Sequence, residues 1–180
     1  KNPYLISNAA QMAAIQNGTS STNPIYYKLT ADIDLKDCNN YGVNLASNIV
    51  FDGDNHKIYS SQAGTSAYGV FKYATGNTTI KNLVYDLTNL DSAGWEKDLC
   101  ALIYQAQGVN AEITIEKVKI EGTHSIDSNN APFVMNEFLA GNSTLDFINC
   151  EMAANLSGDG YNACFVGWQG AELTIGDNQK

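Results

Sequence analysis

From residue 26 onward, apolar and polar residues alternate in short runs broken by Asn, Gly and Asp, beginning with YYKLTADIDL at 26–35. Such runs are strand signals. The stretch before them reads differently. Tyr4-Leu5-Ile6 is extended, Ser7 or Asn8 is placed to cap a helix over Ala9 to Gln16, and Asn17-Gly18 is placed to stop it. That helix is small-faced and apolar, which predicts that it lies flat against another layer.

The strand runs repeat. Val70-Phe71, Leu102-Ile103, Phe133-Val134 and Phe165-Val166 recur at spacings of 32, 31 and 32 residues. A second strand follows each, starting at Thr79, Thr114, Thr144 and Thr174. Two strands with corners in about 31 residues describe one coil of a parallel β-solenoid, whose coils stack at about 4.8 Å. The expected fold class is all-β, a right-handed parallel β-helix. The expected interior columns are Ile80/Ile115/Leu145/Ile175, Leu83/Val118/Ile148 and Tyr85/Ile120/Cys150. Residues 1–25 are expected to form an N-terminal cap that shields the first coil, and 26–180 the coils. No similar cap is evident after the last repeat, so a fragment of a larger protein, or continuation of the stack by another chain end to end, is expected.

Composition narrows the partners. Ten basic residues, all Lys, face 19 Asp and Glu for a formal charge of −9. The excess weighs against nucleic acid and anionic membranes, which are held by basic clusters. The absence of Arg removes the bidentate fork that usually grips carboxylates and phosphates. No apolar run reaches the roughly 18 residues of a membrane span. Cys38, Cys100, Cys150 and Cys164 have no zinc-type spacing. They read as small buried apolar residues, with disulfides open in an oxidising compartment.

The order YKLTADIDL (27–35), FDGDNHKIY (51–59), Gly69-Val70-Phe71 and TIKNL (79–83) resembles the parallel β-helices of bacterial cell-surface, adhesin-like proteins with GLUG-type repeats. Those read LTADIDL, F-G-x-x-D-G-x-G-H-x-I, G-L-F and I-K-N-L in that order. The match is close over 26–90 and looser over 99–180. The resemblance implies a secreted or cell-surface location and a role in adhesion or carbohydrate contact. It also implies that FDGDNHKIY is a strand–turn–strand, with Gly53-Asp54-Asn55 supplying positive-φ and Asx-type turn chemistry and His56 bonding at that corner.

Three functions compete at this point. A surface module adhering to carbohydrate or another host or cell-surface ligand is expected first. Ten Tyr and two Trp exceed what the interior needs. Tyr73, Trp95, Tyr104 and Trp168 are the candidate ligand-binding residues, since aromatic faces stack on sugar rings; Trp95 lies in a loop, Asn89 to Asp98, that interrupts the repeat. A structural stalk or fibre unit is the second reading. A polysaccharide lyase or hydrolase is the third, with Asp32/Asp34 and Asp52/Asp54 as carboxylate pairs by type. Neither histidine has a nucleophile-and-base neighbourhood, so no catalytic residue is assigned. No cofactor is expected, with one exception. Asp86, Glu121 and Glu151 are expected in one outward column, a like-charge ladder that solvent or a cation such as Ca²⁺ would relieve.

Overall fold

The computed structural model describes residues 2–17, 23–37, 41–45, 48–92, 100–126, 131–158 and 163–169. It is a parallel β-solenoid. Every strand pairing among the described residues is parallel, in a nine-stranded sheet A, a six-stranded sheet B and a two-stranded third face formed by Thr123–Ile126 and Asn155–Gly158. Sheet A stacks Tyr4–Ile6, Ile25–Leu29, Ile49–Asp52, Thr78–Asp86, Glu112–Glu121 and Thr144–Ile148. Sheet B stacks Tyr41–Leu45, Thr65–Thr75, Ala101–Val109, Val134–Ala140 and Val166–Gln169. The four dipeptides of the repeat fall into register as Phe71, Ile103, Val134 and Val166.

One column of left-handed residues bends sheet A. Asn82, Lys117 and Asn149 have φ of 51°, 52° and 52°, and the pairings on either side place them opposite one another. A residue in this region reverses the in–out alternation. Inward positions therefore run Ile80, Leu83, Tyr85 in one coil and Ile115, Val118, Ile120 in the next, all essentially inaccessible. Stacked this way, each coil buries its apolar face against its neighbours.

The third copy departs from the expected columns. Phe147, not Leu145, lies opposite Ile115, and Met152, not Cys150, opposite Ile120. Leu145 stays inside, two residues earlier, opposite Ile113. Ile148 precedes the left-handed Asn149, points outward and is 39% exposed, while Cys150 follows it and is buried. The turn before this strand adds one residue, since Val109 pairs with Ala140 at an offset of 31 but Glu112 with Thr144 at 32; counting from Thr114 to Thr144 gives 30 and so misplaces the strand by two. Ile175 lies outside the described residues.

The capping helix is Ala9–Ala13 continued by a 3₁₀ turn, Ala14–Asn17. Asn8 is its N-cap, accepting from the Gln11 N–H at 2.9 Å. Met12 and Ile15 are buried, and the helix packs on Tyr41–Leu45, the first strand of sheet B.

Candidate functional site

The outer faces of the two sheets differ in kind. On sheet A one outward column is charged, beside an outward column of Tyr26, Val50, Thr79, Thr114 and Asp146. Lys28, Asp52, Lys81 and Glu116 lie opposite one another in successive coils, alternating in sign. Lys81 Nζ is 3.6 Å from Asp52 Oδ2, Lys28 Nζ 3.0 Å from Asp54 and Lys117 Nζ 2.9 Å from Glu116. A shallow depression of about 110 Å³ lies here, lined by Pro3, Tyr26, Tyr27, Lys28, Val50, Asp52 and Lys81. Its three charged side chains are already engaged in those ion pairs.

Around the corner of the same sheet, Asp86 and Glu121 are opposite one another as expected. Glu151 is not in their column. The two-residue displacement puts it opposite Lys119. Lys57 Nζ reaches both Glu121, at 2.6 Å, and Asp86, at 3.7 Å, and Lys119 Nζ is 2.9 Å from the other Glu121 oxygen. The Lys57 hydrogen bond, followed by that of Lys119, holds the Glu121 carboxyl below its usual range. Glu121 in turn raises both lysines. Lysines therefore neutralise this pair. No group of three metal-ligating side chains occurs among the described residues.

Sheet B presents the other kind of surface. Asn44, Tyr73, Gln105, Asn136 and Trp168 occupy one register position in five successive coils. Two residues along each strand, Thr75, Gln107 and Phe138 form a parallel column. Tyr73, Gln105 and Asn136 point outward with the second column, since Ala74, Ala106 and Glu137 between them are buried; the Asn44 amide oxygen is itself buried. Beside them, the Tyr68 and Tyr104 rings are 5.9 Å apart and tilted. Lys72 Nζ sits 4.1 Å from the Tyr68 ring centre and 5.3 Å from that of Tyr73. Gly42 makes room for it, because a Cβ there would come within 2.8 Å of the Lys72 Cβ.

Two expected ligand-binding residues, Tyr73 and Tyr104, thus join one cluster, and Trp168 is placed by its backbone at the end of the ladder. Trp95 lies outside the described residues. Sequence reasoning missed Tyr68, Lys72, Gln105, Asn136 and Phe138. Phe138 was recoverable: it is 48% exposed, at the outward parity of a strand whose Glu137 and Leu139 point in.

The acidic turn residues serve the corners. Asp52 Oδ1 accepts from the Asp54 N–H and from Asn82 Nδ2, both at 3.0 Å. Asp54 and Asn55 are the left-handed residues of that turn, with φ of 48° and 64°. Gly53 is needed for a different reason: a Cβ there would sit 2.5 Å from the Asn82 carbonyl oxygen. His56 Nδ1 lies 3.1 Å from Asp32 Oδ1, which also accepts from the Lys57 N–H. That N–H, foremost, holds the Asp32 carboxyl low. For Asp34 and Asp52 partial desolvation is the largest influence and pushes upward. Hydrogen bonds from Ser61 to Asp34, and from Asn82 and Asp54 to Asp52, outweigh it, so both carboxyls also end low.

Cys100 is a buried thiol, the buried Cys150 thiol donates to the Ile115 carbonyl at 3.2 Å, and Cys164 is exposed. Burial pushes the Cys100 thiol up to about 12, which makes it inert. Cys38 lies outside the described residues. No family model, curated protein or solved structure matches this chain.

Proposed function

We propose that this chain is a non-catalytic module of a secreted or cell-surface protein, binding carbohydrate in an adhesive role through the outer face of sheet B. The observation that carries this reading is the segregation of charge. In a chain of net charge −9, the ladder Asn44/Tyr73/Gln105/Asn136 and the column beside it hold amides, hydroxyls and aromatic rings and no carboxylate. Aromatic faces stack on sugar rings and amides take the hydroxyls. The resemblance to adhesin-like β-helices with GLUG-type repeats points the same way. No described helix is long and apolar enough to cross a membrane.

Catalysis fits the acidic residues poorly. Glycoside cleavage needs one carboxyl held protonated near neutrality, whereas Asp32, Asp34 and Asp52 are all shifted the other way. A structural stalk is the second reading. The alternating ladder Lys28/Asp52/Lys81/Glu116, which ties coil to coil along the axis, favours it. A glycan array and insoluble-polysaccharide pull-down, with and without chelator, separates the two. Saturable binding that falls at least tenfold in Tyr73→Ala or Tyr104→Ala, with far-UV circular dichroism unchanged, is the expected result. Absence of binding by the folded wild-type chain moves the assignment to the stalk.

A further inference from the structure

The ladder on sheet B is a ruler as well as a surface. Its members differ by one coil each, so the outward side chains of Tyr73, Gln105 and Asn136, with the Asn44 backbone one coil before them, repeat along the solenoid axis at about 4.8 Å. Within each coil the second column, Thr75, Gln107 and Phe138, stands two residues away, roughly 6.6 Å along the strand. The face is therefore a grid, close-spaced along the axis and wider across it. From Asn44 to the Trp168 position is four coil steps, roughly 19 Å.

Resting on the carbohydrate reading above, we infer that the ligand is a neutral, extended, β-linked polysaccharide lying along the solenoid axis, with about one sugar per coil. Extended, equatorially β-linked chains advance by slightly more per sugar than the strand spacing of about 4.8 Å, so over four or five coils successive sugars stay nearly in step with successive coils. A chain with axial α-linkages curls away from a straight ladder within a few residues. Charge argues for neutrality. Lys72 is held over the Tyr68 ring, and with no Arg in the chain nothing on this face forks onto a uronate or sulfate. The wider spacing across the strands accommodates the breadth of a sugar ring between the two columns.

The test is chain-length dependence. The intact protein is titrated calorimetrically with β-1,4-linked gluco-, xylo-, manno- and N-acetylglucosamine oligosaccharides of two to six sugars, and with malto-oligosaccharides of the same lengths. In at least one β-linked series, affinity is expected to rise with each added sugar up to four or five and then level off, with the malto series weaker by at least tenfold, ~1.4 kcal/mol. Gln105→Ala, in mid-ladder, is expected to weaken the pentasaccharide roughly tenfold while leaving the disaccharide nearly unchanged. Affinity that is independent of length, or equal for α- and β-linked series, overturns the axial arrangement and leaves the carbohydrate reading standing. Failure of every series, with the fold intact by circular dichroism, overturns both.

Discussion

Asn82, Lys117 and Asn149 do one job with two kinds of side chain. All three sit at φ near 50°, a region that asparagine enters at little expense and a long side chain enters at roughly 1–2 kcal/mol. Lys117 has in return an exposed ion pair to Glu116 at 2.9 Å, worth well under 1 kcal/mol. Lys117→Asn is therefore expected to stabilise the protein by about 1 kcal/mol and to raise the urea midpoint at unchanged slope. An unchanged or lower midpoint would mean that the lysine is held by something other than its backbone. The same chemistry explains what was readable at FDGDN. Aspartate, glycine and asparagine in succession announce a tight turn. Asp54 and Asn55 take the positive φ, not Gly53, whose place is reserved for glycine by a neighbour in the next coil, the Asn82 carbonyl 2.5 Å from where a Gly53 Cβ would be.

At the scale of strands and sheets, much of the solenoid was legible because it follows from a repeat. The pairing of Val70-Phe71 with its later copies, and of Ile80, Leu83 and Tyr85 with Ile115, Val118 and Ile120, is in the structure as the spacing implied. What was not legible is the length of each corner, since the paired offset of 32 residues differs by two from the Thr114-to-Thr144 spacing of 30, and the corner between Ala140 and Thr144 supplies one of those residues. That displacement also broke up the expected carboxylate column, carrying Glu151 to Lys119. Asp86 and Glu121 remain as a like-charge pair opposite one another, a destabilising arrangement that Lys57 relieves. Lys57→Met should lower unfolding free energy by up to about 1 kcal/mol, the loss shrinking at high salt. Glu121→Gln placed in that background should restore part of it. If the two substitutions are additive in a double-mutant cycle, the bridge carries no coupling and the ladder is held by solvent instead.

Over the whole molecule, Asp32, Asp34, Asp52 and Glu121 lie on or beside sheet A while the binding ladder lies on sheet B, so protonating them should loosen the scaffold rather than the ligand face. Asp32, Asp34, Asp52 and Glu121 all have folded pKa values below their ordinary ones. Their contribution is fully present above the unfolded carboxylate range, around pH 4, and is lost as pH falls through the folded values. His124 adds an earlier step. Its ring is 9% exposed on Thr123–Ile126, and burial lowers its pKa against the opposing pull of Asp91, 3.8 Å away. Below about pH 6.5 the unfolded chain binds a proton there more readily than the folded one, so stability declines with acidification before any carboxylate titrates. Urea unfolding measured from pH 8 to pH 4 should therefore be level above pH 7, sag between pH 6.5 and 5, and fall more steeply below. In His124→Gln the middle segment should flatten while the acid limb stays. A sag that survives the substitution would assign the early step to another group.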